Sequence, residues 1–382
     1  MSGEGTGYDA ARIEVLEGRE AVRKRPGMWA GSVGERGLHH LVFEVVGRAV
    51  NRSGSVDVTL TSDGGVRVTD EGSRRARVAT ADTDDPAVEA QLTSLHAGSE
   101  PSGRHIAAVG DHIGGLFVVN ALSSRLTAEV QRDGVREIQE YERGVAVAPP
   151  AAIGAATGSG TTIAFWPDTE IFETTWCSFT VLAERFRQVA FLNRGLRISL
   201  TDERPAGEAR MVRFRFPEGA RDFVATLDAE TGSAIDPDVI GFEREEPKMA
   251  GTMEVALLWS GSGEERIRGF VNSRATPQGG THVEGFRDGV AAAITAYGRK
   301  RGALVAYFEP YADLLGEGLT AVVSVKLDHP EFLGATRGLL GNPEVRGCVG
   351  EAVRDHLGTW FEDHPERAAE IVDRIVRVIH QD

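Results

Sequence analysis

The sequence predicts an α+β protein in two domains, and three observations carry that prediction. Between Leu38 and Val50 the apolar residues recur at helical spacing, at Leu38, Leu41, Val42, Val45, Val46, Ala49 and Val50. Directly after it, "VDVTLTSDGGVRVTD" alternates β-formers on both sides of a "SDGG" turn, the pattern of a hairpin. Beyond residue 218, strand-like and helix-like runs alternate, which implies a right-handed β-α-β crossover if the strands are parallel. A chain of 382 residues is long enough for two ordinary cores.

Residues 1 to about 12 are Gly-rich and polar and predict a flexible arm; a turn is expected at Pro26-Gly27. After the helix and the hairpin, Glu71 to Gly115 is rich in Gly, Ser, Asp and Ala and suits a loop or lid more than a core element. "GGLFVVNALSSRL" opens a helix behind paired glycines, "LTAEVQRDGVREIQEYERG" and "GTTIAFWPD" predict strands, "SFTVLAERFRQVAFLN" an amphipathic helix and "LRISLTDE" a strand. In the second part "TMEVALLWSG", "EERIRGFVNS" and "LTAVVSVKLD" predict strands, with the helix "VEGFRDGVAAAITAYGRKRG" between the last two and helices from Pro343 to His380.

The net charge of −15 argues against a general nucleic-acid coat and disfavours DNA binding. Two cysteines far apart, Cys177 and Cys348, build neither a zinc site nor a disulfide framework and are expected as buried thiols. No secretory signal or membrane-length apolar run is present, so a cytoplasmic protein is expected.

Four features of the first 165 residues carry chemistry. Glu44, Arg48 and Asn51 form a polar helix stripe; Asp70 ends a strand in "VTDEG"; "GDHIGG" at 110–115 opens a helix; and Thr161 begins the strand in "SGTTIAFWP". A glycine-rich turn before a helix offers free N–H groups to an anion, and a strand-end carboxylate accepts from an amine. Each signal is weak alone.

Together with "AVRKRPGMWAG", "GLHHLVFEVV", "LHAG", "VVNALS", "FWP", "GGTHVEGFR", "EGLTAVVSVK", "HPEF" and "LGNPEV", they make the chain resemble the N-terminal half of the DNA gyrase B protein. The resemblance implies a GHKL (Bergerat-type) ATPase-type α/β sandwich over 1–218 and a transducer domain with C-terminal helices over 219–382. It also implies dimerisation through the N-terminal arm, with Tyr8 as the arm tyrosine, and gyrase subunits as possible partners. Glu44 falls at the family's general base, Asp70 at its adenine-reading aspartate and Thr161 at the supporting threonine. Arg132 matches an arginine at the pocket mouth, and Trp29 replaces a tyrosine.

The phosphate half departs from the family pattern. The Mg²⁺-holding asparagine is Arg48 here, and the acids that follow are Asn51 and Arg52. "DDGRGIP" has become "DEGSRRA", so Ser73, Arg74 and Ala76 replace an arginine, a glycine and a proline. "GGLHGVG" has become "VGDHIGG", keeping Gly110, His112 and Gly115 in register, and a lid lysine is Glu100. In the transducer "QTK" is "ATR", keeping charge at Arg337 and losing the glutamine to Ala335.

A guanidinium carries donors only and cannot ligate a cation, and Asp111 sets a like charge against a triphosphate. Efficient Mg-ATP hydrolysis is therefore not expected, no metal site is assigned, and the cofactor readings left open are ATP without magnesium or none. Glu44 and Arg48, four apart in the favourable order, are expected to pair, with Glu44 the alternative acid or base. Arg48, Arg52, Arg74 and Arg75 either converge on an anionic ligand or cap the vacated pocket through Glu44, Glu71 and Asp111. Glu44 and His112 are the candidate catalytic residues; His39 and His40 are expected to be structural.

Three functions compete. The first is a repurposed small-molecule pocket with metal-free acid–base chemistry, suited to an enzyme of specialised metabolism. The second is a non-catalytic decoy of gyrase, or a protein that sequesters a gyrase-directed inhibitor. The third is a genuine ATPase–transducer. Family chains continue into a metal-binding TOPRIM domain; no acidic cluster of that type follows residue 340, so strand cleavage by this chain alone is not expected.

Overall fold

The computed structural model describes residues 18–72, 88–95, 103–110, 114–230, 239–260, 265–303 and 318–379. Two short helices, α1 (Gly18–Lys24) and α2 (Pro26–Ala30), lead into α3 (Glu35–Arg52). Pro26 opens α2 at its first position, where a missing N–H costs nothing, so the turn expected at Pro26-Gly27 is a helix start. The hairpin β1 (Ser55–Leu60) and β2 (Val66–Asp70) follows in the expected antiparallel register.

α4 (Val88–Thr93) lies inside the stretch expected to be loop, and its Leu92 is fully buried, as nearly are Ala107 and Val109 further on. That stretch therefore contributes to the core, a correction to the lid reading over its described part. α5 (Gly115–Ala121) is shorter than expected, because Ser123 already begins β3 (Ser123–Arg132). Next come β4 (Val135–Glu142), β5 (Val145–Ala146), β6 (Ala151–Ala155), β7 (Gly160–Pro167), α6 (Phe179–Phe191), β8 (Arg197–Asp202) and β9 (Arg210–Phe214). The Ser178 hydroxyl accepts from the Val181 N–H and caps α6. Among the described residues these strands form a nine-stranded sheet in the order β5-β4-β3-β7-β2-β1-β8-β9, with β6 also on β4. Helix α3 lays its apolar stripe on the sheet face that carries Val56, Val58, Val66 and Val68.

The second part begins with α7 (Ala220–Ala229) and continues through β10 (Ile240–Glu246), β11 (Gly251–Trp259), β12 (Arg266–Val271), β13 (Arg274–Ala275), α8 (Thr281–Lys300) and β14 (Leu319–Leu327). β12 and β14 pair in parallel with α8 between them, the unit for which a right-handed connection is the rule. A small hairpin, β15 (Phe332–Leu333) with β16 (Leu339–Leu340), precedes the long helices α9 (Pro343–Asp363) and α10 (Pro365–Ile379). Gly285 and Gly289 let α8 and α9 meet closely: a Cβ on either would fall 2.3 or 2.6 Å from the Arg346 or Gly350 carbonyl.

A cluster of Phe191, Leu192, Phe223, Val224, Leu258, Phe270 and Val322 joins the two sheets. Both cysteines are buried as free thiols, as expected. No described helix is long and apolar enough to cross a membrane.

Candidate functional site

Asp70 and Thr161 stand opposite each other in the β2–β7 register, and Val130 of β3 faces Thr161 on the other side. The backbone narrows at this row. A Cβ on Gly160 would sit 2.4 Å from the Asp70 carbonyl oxygen, and one on Gly72 2.5 Å from the Ser159 hydroxyl, so both positions require glycine. The Gly72 N–H donates to Asp70 Oδ1 at 2.9 Å. Burial raises the Asp70 carboxyl above its usual range; Arg48, the Gly72 N–H, Arg52 and the Thr161 backbone N–H oppose that rise without cancelling it.

Arg48 hangs from α3 above this carboxylate. Its Nε donates to Gln91 Oε1 of α4 at 2.9 Å, and its Nη1 lies 3.7 Å from Asp70 Oδ2. The expected partner along the helix, Glu44, is thus replaced by an acid from the sheet below. The physical reason is reach: α3 lies directly on β2, which sets Asp70 beneath Arg48. Burial lowers Arg48 to about 10, repulsion from Arg52 acts in the same direction, and Asp70 opposes both. Arg52 thus joins Arg48 at Asp70, whereas Glu71 pairs with Arg197 at 3.1 Å.

Glu44 is buried on the same helix, and its Oε1 lies 3.2 Å from where a Gly110 Cβ would be. A side chain at 110 would crowd this carboxylate and the Phe43 Cβ, 3.1 Å away. Asn51 holds the loop from below: its Oδ1 accepts the Ala107 N–H at 2.8 Å, and its Nδ2 donates to the Ala107 carbonyl at 3.2 Å. From the second sheet, Arg274 Nη2 donates to the Gly110 carbonyl at 3.1 Å. Arg185 of α6 binds the carbonyls of Val109, Ala108 and Ser273 at 3.1, 2.7 and 3.2 Å. Sequence reasoning missed Arg185, Arg274 and Gln91; each lies far in sequence from the loop or helix it fastens, and no motif marks it.

Other expected residues fall less centrally. Gly115 begins α5, and Trp29, partly buried, lies beside Gly114. Arg132 closes β3 at the rim with its side chain 79% exposed, 3.5 Å from Asp133. Arg337 is exposed in the β15–β16 turn at φ +51°, with no side-chain bond to the pocket among the described residues. His39 is structural, as expected: its Nε2 accepts the Ser178 N–H at 2.9 Å, which fixes the tautomer, and burial lowers its pKa. Tyr8, Ser73, Arg74, Arg75, Ala76, Glu100, Asp111 and His112 lie outside the described residues.

The magnesium ligand that the resemblance implies does not fit at position 48, because a guanidinium supplies only N–H groups. The carboxamide oxygen of Asn51 on the same stripe accepts the Ala107 N–H. No cluster of three or more acidic, histidine or cysteine ligands occurs among the described residues.

A family model described as DNA gyrase B matches residues 219–382. The DNA gyrase B protein of Streptomyces coelicolor is 42% identical over 395 residues, covering 98% of this chain and 58% of the relative. The chain thus spans little more than half the length of the curated relatives it matches. Its fold is similar to the crystal structure of the 43K ATPase domain of Thermus thermophilus gyrase B in complex with an aminocoumarin, with TM-score 0.77, 31% identity, and coverage of 95% of this chain and 94% of that one. It is also similar to the topoisomerase IV ATP-binding domain of Francisella tularensis in complex with a small-molecule inhibitor, with TM-score 0.75, 28% identity, and coverage of 96% and 98%. The strand-end aspartate facing its threonine, the strand–helix–strand second domain and a 42% identity over an alignment that covers 98% of the chain lead to one assignment: this chain belongs to the DNA gyrase B family.

Proposed function

We propose that this chain is a gyrase-B-type ATPase–transducer module whose former Mg-nucleotide pocket binds a small molecule without metal and does not run efficient ATP hydrolysis. The observation behind this reading is Arg48, a guanidinium set against Asp70 at the position where the family pattern has a magnesium ligand. Without the metal, charge developing on a transferred phosphoryl group loses its main stabiliser. Glu44 remains as a buried carboxylate beside the Gly110 loop, a candidate proton carrier for metal-free acid–base chemistry. The division into an ATPase-type unit over 1–218 and a transducer over 219–382, a cytoplasmic location, and pairing with a second copy or with gyrase subunits belong to the same proposal.

A second reading draws on the retained Asp70–Thr161 floor. The pocket takes up a gyrase-directed inhibitor of the aminocoumarin kind, as the Thermus domain does, and the protein acts as a sink or decoy.

A coupled ATPase assay with magnesium, together with calorimetry of a non-hydrolysable ATP analogue with and without the metal, tests the first reading. Turnover at background level is expected. Magnesium-dependent tight binding with gyrase-like turnover would overturn it. Tight aminocoumarin binding by a protein without turnover favours the second reading.

A further inference from the structure

One edge of the nine-stranded sheet is bare of charge. From Gly144 to Pro167 the sequence holds no Asp, Glu, Lys, Arg or His, in a chain in which 26% of residues are charged. Every residue from Val145 to Ala155 is exposed, and each is Val, Ala, Pro, Ile or Gly. β5 and β6 pair with opposite ends of β4 and so form one interrupted outer rim. Val135 of β4, opposite Ala155, extends that apolar surface. Val135, Val145, Val147 and Ile153 are 40–57% exposed, and they are four of the nine large apolar side chains exposed among the described residues. A scattered apolar side chain on a surface needs no partner, but a contiguous patch marks a contact surface.

Charge and edge geometry select the occupant. A chain of net charge −15 repels a second copy over most of its surface, and an uncharged rim lets two copies touch without like charges in contact. Carboxylates return one strand inward, at the exposed Glu137, Glu140 and Glu142 of β4. The opposite edge of the sheet, β9, presents Arg210, Met211 and Arg213, all exposed. Stacking β9 on the rim, head to tail, would desolvate those guanidinium groups against apolar residues. Rim on rim about a two-fold axis avoids that cost. Pro149-Pro150 interrupts the rim, and the register shift at Arg136 and Glu137 leaves Ile153 without a partner residue on β4. Both features block extended strand addition, so the contact rests on apolar side chains and closes as a pair.

We propose that the β5–β6 rim is a two-fold contact between two copies of this chain, formed without ligand and separate from the N-terminal arm. It gives a surface to the pairing with a second copy proposed above. The rim is shorter than the roughly 20–30 residues a side of a standard interface, so the pair is weak and reversible. The carboxylates of the two β4 strands approach each other behind the contact and oppose it, so salt strengthens the pair.

Sedimentation equilibrium of the full chain, free of ligand, from micromolar to submillimolar concentration tests this. A monomer–dimer equilibrium is expected, tighter at high salt than at low. Val147→Lys combined with Ile153→Lys should weaken association by about tenfold or more, because like charges then face each other across the two-fold. Met211→Lys, on the opposite edge, should leave it unchanged. All three positions are exposed, and circular dichroism with thermal unfolding checks that the variants fold. A monomer at every concentration, or a pair loosened by salt, would overturn the proposal. A dimer untouched by the double substitution removes the rim and leaves pairing through the arm standing. Weakening by Met211→Lys would show a head-to-tail contact and refute the two-fold one. Binding of a monomeric wild type to neutral phospholipid vesicles, lost in the double variant, would assign the rim to a membrane surface and likewise refute it.

Discussion

Replacing Arg185 by methionine keeps the aliphatic stem and removes one fork. That fork binds the Val109 and Ala108 carbonyls of the pocket loop and the Ser273 carbonyl of the second sheet's turn. A hydrogen bond to a charged donor contributes about 1.5–3 kcal/mol, and three on one guanidinium do not add fully, so a loss of about 3–5 kcal/mol is expected. The loss should be local to the junction. The Ala108 N–H donates to the Asn272 carbonyl at 2.8 Å, so its hydrogen exchange reports directly on the contact between loop and second sheet. Urea unfolding followed by tryptophan fluorescence and circular dichroism is expected to separate into two transitions, since Trp29, Trp166 and Trp176 lie with the first sheet and Trp259 and Trp360 with the second. Arg185→Lys should fall between. A single transition within about 1 kcal/mol of wild type, with unchanged exchange at Ala108, would show that the apolar cluster around Phe191 and Phe223 joins the two parts without help from Arg185.

Gly160→Ala should cost about 1–3 kcal/mol in thermal unfolding, because its Cβ would meet the Asp70 carbonyl, whereas Gly158→Ala, which meets nothing within 4 Å, should be near neutral. Burial alone would raise Asp168, but the Glu170 N–H, Arg23 at 2.7 Å and Arg143 at 3.3 Å outweigh it and hold the carboxyl below its usual range. Its contribution to stability is therefore fully present above about pH 4 and is lost as pH falls through the lower folded value, so Asp168→Asn should flatten the acid limb of a stability–pH profile. Burial pushes the Cys177 thiol up to about 12 and also raises Cys348, so a thiol reagent at mildly alkaline pH should label neither until denaturant is added.

The local elements were legible in residue order alone. The apolar spacing of 38–50, the turn residues around Gly64 and the β-former runs of β7, β11 and β14 encode their elements through near neighbours. Family membership was legible too, because short motifs preserve chain order. The site's pairings were not. Whether Arg48 answers Glu44 or Asp70 depends on which way α3 turns over β2, a fact of packing across the helix–sheet interface. The hold of Asn51 on Ala107, and of Arg185 and Arg274 on the loop, joins segments separated by 56, 76 and 164 positions. Such bonds form only once loop-closure entropy has been overcome by the burial of both sheets. The sequence by itself determined that an arginine stands on the polar stripe of α3 at position 48. Only the tertiary structure decided what that guanidinium faces, because electrostatic partnership in a core is set by distance and desolvation and not by spacing along the chain.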